Sequence, residues 1–243
     1  AKKGAEAVEE GELPPPQPLI EPLVAPGSWR VFDTFGSDPL ACAAAGGDIE
    51  VVRMLLRAGA EVNAAGRHCG RSAIHRAAAA GDAAMAGLLL SAGATASLPC
   101  AAGSTALHMG ASAGAVEVAR VLLDAGVPCD AVDGIGQTPL MLAAAEGHAL
   151  VCVFLLERGA DLGARDDNSW SALHHAVDAD QTDAALALVA AGAAVDDLTK
   201  GGRSLKHLNY ALGEQCEEAA DMAAEVARAA EQVEEIEVTP PPK

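Results

Sequence analysis

The chain has 243 residues, with 34 acidic and 16 basic side chains and a formal net charge of -18. That balance argues against nucleic acid and anionic membrane surfaces, both of which are bound through Lys and Arg. Half of the residues (51%) are apolar but only 2% are aromatic. A conventional single core would be richer in rings, which each bury roughly 150–250 Å², so the composition points to many thin, closely packed layers.

Residues 1–30 form a segment of their own. Residues 1–12 are small and charged, and 13–26 carry Pro14, Pro15, Pro16, Pro18, Pro22 and Pro26. Proline at that density fixes φ and removes donors, which predicts an extended N-terminal strap or linker. Leu19, Ile20, Leu23 and Val24 give the strap an apolar side, so lying along a surface and running free remain equal readings. A start at Ala1-Lys2-Lys3 is compatible with prior removal of a targeting segment, and no apolar signal-peptide core follows.

From residue 31 the chain repeats itself. Asp38, Ser72, Thr105, Thr138, Ser171 and Ser204 are spaced by 34, 33, 33, 33 and 33 residues. Each is a residue type that caps helix N-termini, and Pro39 and Pro139 suit the first helical position. Nine residues on stand Gly47, Gly81, Gly114, Gly147 and Gly213, with Asp180 breaking the pattern in the fifth unit. Twenty-one residues on stand Gly59, Gly93, Gly126, Gly159 and Gly192, suited to the left-handed end of a helix. Each unit therefore reads as a short helix, a glycine turn, a second short helix and a loop of about a dozen residues. No unit can bury its own apolar face, so the units must stack.

The last segment, 214–243, is acidic. Its apolar residues Ala219, Met222, Val226, Ala229, Val233 and Ile236 recur by three and four, which predicts an amphipathic helix ended by Pro240, Pro241 and Pro242. Capping of the last layer and a seam for a partner are both open to it. Nine acids against Arg228 and Lys243 give this tail -7, and residues 1–30 hold -2; of the total of -18, -9 is left on the repeats.

The repeating residues resemble the ankyrin repeat. Gly136-Gln137-Thr138-Pro139-Leu140, Gly103-Ser104-Thr105-Ala106-Leu107-His108 and Arg57-Ala58-Gly59-Ala60-Glu61-Val62-Asn63 carry the likeness, over residues 36–213. The resemblance implies an all-α solenoid of helix-turn-helix units with projecting β-hairpin loops. The units fall near 34–66, 67–99, 100–132, 133–165 and 166–198, with a partial one at 199–213, inside a repeat domain spanning 31–213. It also implies a non-catalytic protein-binding module, in which hairpin tips and the exposed side of each first helix meet the partner. Carried over by position, the candidates are Arg67, His68, Arg71, then Ala101 and Ser104, then Ile135, Gln137 and Glu146. Asp167, Asn168, Trp170 and Asp178 follow, then Lys200 and Arg203. Trp170, one of two tryptophans, is the expected anchor, since large aromatics dominate interface energetics. The alternative for its ring is to fold onto a neighbouring hairpin.

Other chemistry is weaker. His75, His108, His174 and His207 share one repeat position, three residues after the anchor, which predicts hydrogen bonding between layers. Ligands on successive layers stand about 10 Å apart, too far for one zinc ion. Cys152 lies on an apolar stripe and should be inert, whereas Cys69 and Cys100 lie in loops where a thiol could be exposed. His68 beside Cys69 is not a catalytic pair by adjacency alone. No P-loop, dinucleotide fingerprint or H-E-x-x-H motif occurs.

The expected function is thus an adaptor or scaffold for a protein partner, with no enzyme activity, cofactor, metal, nucleic acid, membrane insertion or small-molecule substrate. The alternative is a structural subunit or assembly factor held in a large complex by its repeats and both tails. Six sparse cysteines without a C-x-x-C pair read as free thiols in a reducing intracellular compartment. Cytoplasm is the first expectation. Ala-rich, Lys-poor usage fits a GC-rich coding genome and keeps cilium, flagellum or chloroplast open.

Overall fold

The computed structural model describes residues 38–67 and 69–195. These residues form ten helices in five pairs: α1 (Pro39–Gly46) and α2 (Ile49–Arg57), α3 (Ala73–Ala79) and α4 (Ala83–Ser91), α5 (Ala106–Ser112) and α6 (Val116–Asp124), α7 (Pro139–Ala145) and α8 (Ala149–Glu157), and α9 (Ala172–Asp178) and α10 (Thr182–Ala190). The strap, the partial unit at 199–213 and the acidic helix expected after it lie outside the described residues.

Local sequence sets where each helix begins and ends. Asp38 caps α1 by accepting from the Leu40 N–H at 3.0 Å, and Asp82 caps α4 by accepting from Met85 at 2.9 Å. Pro39 and Pro139 open their helices. At the turn within each pair, Gly47, Gly81, Gly114 and Gly147 have φ between 71 and 79°. Asp180, the odd residue in that series, takes the same left-handed backbone, with φ 55°. The fifth unit thus keeps the turn geometry with a different side chain.

Helices of 7–9 residues fall below the roughly 12–15 that stand alone in water. Stacking supplies the rest. First helices pack in the order α1, α3, α5, α7, α9, and second helices in the order α4, α6, α8, α10. Leu40, Ile74, Leu107, Leu140 and Leu173, two residues after each cap, are buried, as are Leu89, Leu122, Leu155 and Leu188 in the second helices. Alanines such as Ala44, Ala77, Ala111 and Ala144 fill the space between layers. Each large aliphatic contributes about 1.5–3 kcal/mol on burial, and the alanines let adjacent backbones approach.

The projecting loops, here called fingers, are tighter than hairpins. Among the described residues no strand is present. Instead a backbone bond spans the base of each finger, Gly66 N–H to Arg71 O, Cys100 to Ser104, Asp133 to Gln137 and Asp166 to Trp170, at 2.8–3.1 Å, with a tighter turn bond inside it. The first of these spans one residue more than the others, which locates the single 34-residue spacing in the finger containing Arg67. Neighbouring fingers are joined by Ala101 N–H to Cys69 O (3.0 Å), Gly134 N–H to Ala102 O (2.8 Å) and Asp167 N–H to Ile135 O (3.2 Å). Gly103 makes that approach possible: with φ +78°, a Cβ there would stand 2.5 Å from the Gly134 nitrogen.

Candidate protein-binding face

Histidine ties one layer to the next. The Ser72 N–H donates to His75 Nδ1 at 3.3 Å, which places the ring proton on Nε2, and Nε2–H donates to the Ser104 carbonyl at 3.2 Å. His108 repeats the arrangement with the Thr105 N–H at 3.1 Å and the Gln137 carbonyl at 3.0 Å. Burial, opposed by those carbonyl bonds, holds both imidazoles below the ordinary histidine value. His174 keeps the inner half, its Nδ1 accepting from the Ser171 N–H at 3.2 Å. The fourth unit departs: Met141 occupies the histidine position, and the Thr138 N–H meets only its sulfur, at 3.5 Å. A tie from His148 Nε2–H to the Ser112 carbonyl, at 3.0 Å, joins that unit backwards instead.

These pairs resemble a nucleophile and its base, since a Ser or Thr hydroxyl lies 2.8–2.9 Å from Nδ1 in three units. Both ring nitrogens of His75 and His108 are taken up by backbone, and the side chains are buried to within 1%. No approach to them is left for a substrate. Burial likewise pushes the Cys152 thiol up to about 12. Among the described residues no group of three or more metal-ligating side chains converges.

In each first helix the residue four positions after the cap stays at least partly exposed: Cys42, Arg76, Met109, Leu142 and His175. His175 shows which way this row faces. Its Nε2 lies 3.1 Å from Asp166 in the finger of its own unit, and its ring lies 5.2 Å from that of Trp170. In the fifth unit the first helix and its finger therefore face the same way, and Met109 and Leu142, at the same position of their units, are half-buried.

The model for "Ankyrin repeats (3 copies)" matches residues 15–98, 40–133, 74–166 and 126–200. The chain belongs to the ankyrin repeat family. The matches begin at residue 15, inside the stretch read above as a strap. Among curated proteins no match to the chain is found. Ankyrin repeats are in general protein–protein interaction modules, and in general not catalysts.

On this ankyrin stack the position-derived candidates divide. Arg67, Ile135, Glu146, Asp167, Asn168 and Asp178 are exposed, Ile135 at 54%. Arg71 and Gln137 are half-buried. His68, Lys200 and Arg203 lie outside the described residues. Ala101 is exposed, but Ser104 is buried and contributes its carbonyl to His75, so it belongs to the layer and not to the surface. Cys100 is buried as well, against the expectation of a loop-exposed thiol; Cys69 is half-buried. Trp170 is half-buried, its ring 5.2 Å from that of His175 and 6.3 Å from that of His174, both within its own unit.

Sequence reasoning missed the row of Arg76, Met109, Leu142 and His175. The signal was present, as a constant offset of four from the caps. Asp166 was missed too; its Oδ1 accepts from the Asn168 and Trp170 N–H groups at 2.9 and 2.8 Å, so it shapes the finger that presents Trp170. On the outer helices, Leu150 and Val153 of α8 are 77% and 42% exposed, beside Phe154, which is covered by Arg120 and Arg158 at 5.2 and 4.9 Å. Among the described residues no helix is long and apolar enough to cross a membrane.

Proposed function

We propose that this protein is a non-catalytic adaptor that binds a protein partner on the face formed by its fingers and first helices. One observation carries the reading. His75, His108 and the Cys152 thiol are buried inside the stack, while the position four residues after each cap presents one variable, partly exposed side chain per layer for recognition. Arg67, Arg71, Ile135, Gln137, Glu146, Asp167, Asn168, Trp170 and Asp178 flank that row and supply the contacts, with His68, Lys200 and Arg203 as extensions at its two ends. Trp170 acts as the anchor. It is held in place by His175 and Asp166, which lowers the entropy lost when a partner covers it. A net charge of -18 favours a protein partner over nucleic acid. Free thiols, among the described residues, fit a reducing intracellular compartment.

The test is partner capture by the double variant Met109→Glu, Leu142→Glu beside Trp170→Ala. The account expects each to lose the partner, with Trp170→Ala costing about 2 kcal/mol or more as a hot spot, while the melting transition persists. Unchanged capture by both would sink it. A second reading, a fixed subunit of a larger assembly, draws on Leu150 and Val153, since adjacent exposed aliphatics commonly mark contact surfaces. Leu150→Lys would then weaken assembly and leave the finger face untouched.

A further inference from the structure

Matched stretches of successive layers differ in charge in a regular way. Residues 64–80 carry Arg67, Arg71 and Arg76 and no acid. Residues 97–113 carry no Asp, Glu, Lys or Arg at all. Residues 130–146 carry Asp130, Asp133 and Glu146 with no base, and 163–179 carry Asp166, Asp167 and Asp178 against Arg165. Counting Asp, Glu, Lys and Arg, the layers therefore run +3, 0, -3, -2 from α3 to α9.

Some of these charges are used internally. Asp130 Oδ1 accepts from the Asp161 N–H at 2.9 Å, and Asp166 faces His175. Arg165 turns back to donate to the Ser169 carbonyl at 3.0 Å. By exposure, Glu146, Asp167 and Asp178 reach solvent at one end and Arg67 at the other, with Arg71 and Arg76 half-buried beside it. Between the ends, the row four residues after each cap presents Met109 and Leu142. Three layers of about 10 Å each separate the extremes, roughly 30 Å, which is the reach of about nine extended residues.

We infer that the finger face is polarised for an extended partner segment with acidic side chains at the α3 end, apolar side chains in its middle and basic side chains at the α9 end. This rests on the protein-binding reading above and adds the chemistry and direction of what is bound. Charge complementarity chooses the orientation and rejects wrongly charged partners, while the apolar pair supplies burial. A segment laid in the opposite direction would set like charges against both ends.

The test uses the full chain and three fluorescein-labelled peptides, read by anisotropy at low salt. One is Glu-Glu-Glu-Leu-Ser-Leu-Lys-Lys-Lys, and the others replace its basic end by Glu or its acidic end by Lys. The polarised face predicts that the mixed peptide binds at least about tenfold more tightly than either relative. Arg67→Glu with Arg71→Glu should then prefer the peptide with Lys at both ends. Glu146→Lys with Asp178→Lys, at exposed positions where folding is little at risk, should prefer the one with Glu at both ends. Equal affinities in the wild type, an unchanged ranking in the variants, or no binding of any peptide overturns the inference. If these fail while Met109→Glu, Leu142→Glu still abolishes capture of the native partner, the protein-binding reading stands and only its polarity is lost. If capture is unaffected too, both fall.

Discussion

Replacing His108 by Met tests whether the histidine ties hold the layers together. The fourth unit already carries Met at this position, as Met141, and buries it fully. His108→Met therefore keeps an apolar side chain in a space that the fold accepts and removes only polar partners. The Gln137 carbonyl loses the Nε2–H donor at 3.0 Å but keeps the Asp133 N–H, also at 3.0 Å. That loss is worth about 1 kcal/mol. The buried Thr105 N–H exchanges a ring nitrogen at 3.1 Å for a thioether like that facing Thr138 at 3.5 Å, a weak acceptor, which costs about another 1 kcal/mol. The expected destabilisation is about 2 kcal/mol at the boundary between the third and fourth units. Urea unfolding measures the total, and hydrogen exchange at the Asp133 and Gln137 amides locates it. In a linear array, weakening one boundary also separates the two halves into distinct transitions. The mirror substitution, Met141→His, offers a donor to the Trp170 carbonyl and should stabilise by about 0.5–1.5 kcal/mol. If His108→Met lay within about 0.5 kcal/mol of wild type, and Met141→His gave nothing, the layers would be held by apolar packing alone.

Three further outcomes follow from the same geometry. His75 and His108 are neutral in the stack and regain the ordinary value of 6.5 on unfolding. Their contribution is therefore intact above that pH and is lost as pH falls toward their folded values, by up to about 1.4 kcal/mol per pH unit for each; urea midpoints across pH should lose part of this slope in His108→Met. Gly103→Ala should cost about 1–3 kcal/mol, because φ +78° is strained for alanine and its Cβ meets the Gly134 backbone. Ser169→Gly, at φ 63° in the equivalent finger position, should instead stabilise by about 0.5–1 kcal/mol, and melting temperatures order the three proteins. Alkylation of the folded chain near neutral pH should label exposed Cys42 first, Cys69 slowly, and Cys152 only after denaturation, which peptide mass mapping reads directly.

The repeat and its helix ends could be read from the chain because caps and turn glycines act locally: Asp38, Pro39 and Gly47 each do in the structure what their chemistry dictates. The layer role of His75 and His108 was also legible, since a polar residue recurring once per unit in an apolar setting must serve the stack. Spacing alone could not reveal which side of the first helix stays uncovered. That depends on how the finger folds back, so Arg76, Met109, Leu142 and His175 emerged only with the tertiary structure. Asp180 breaks the glycine pattern in sequence yet keeps the turn, because aspartate tolerates the left-handed region better than most residues. Cys100 was misjudged because a finger begins with a residue tucked beneath its neighbour, bonded through its backbone to Ser104.

Crosslinking mass spectrometry of the full chain in native extract tests the central claim most directly. The account predicts partner crosslinks concentrated at the fingers and the first-helix row, near Arg67, Glu146, Asp167 and Asp178, and their loss in Met109→Glu, Leu142→Glu. Crosslinks confined to the outer helices around Glu157, or none to any finger, would contradict it.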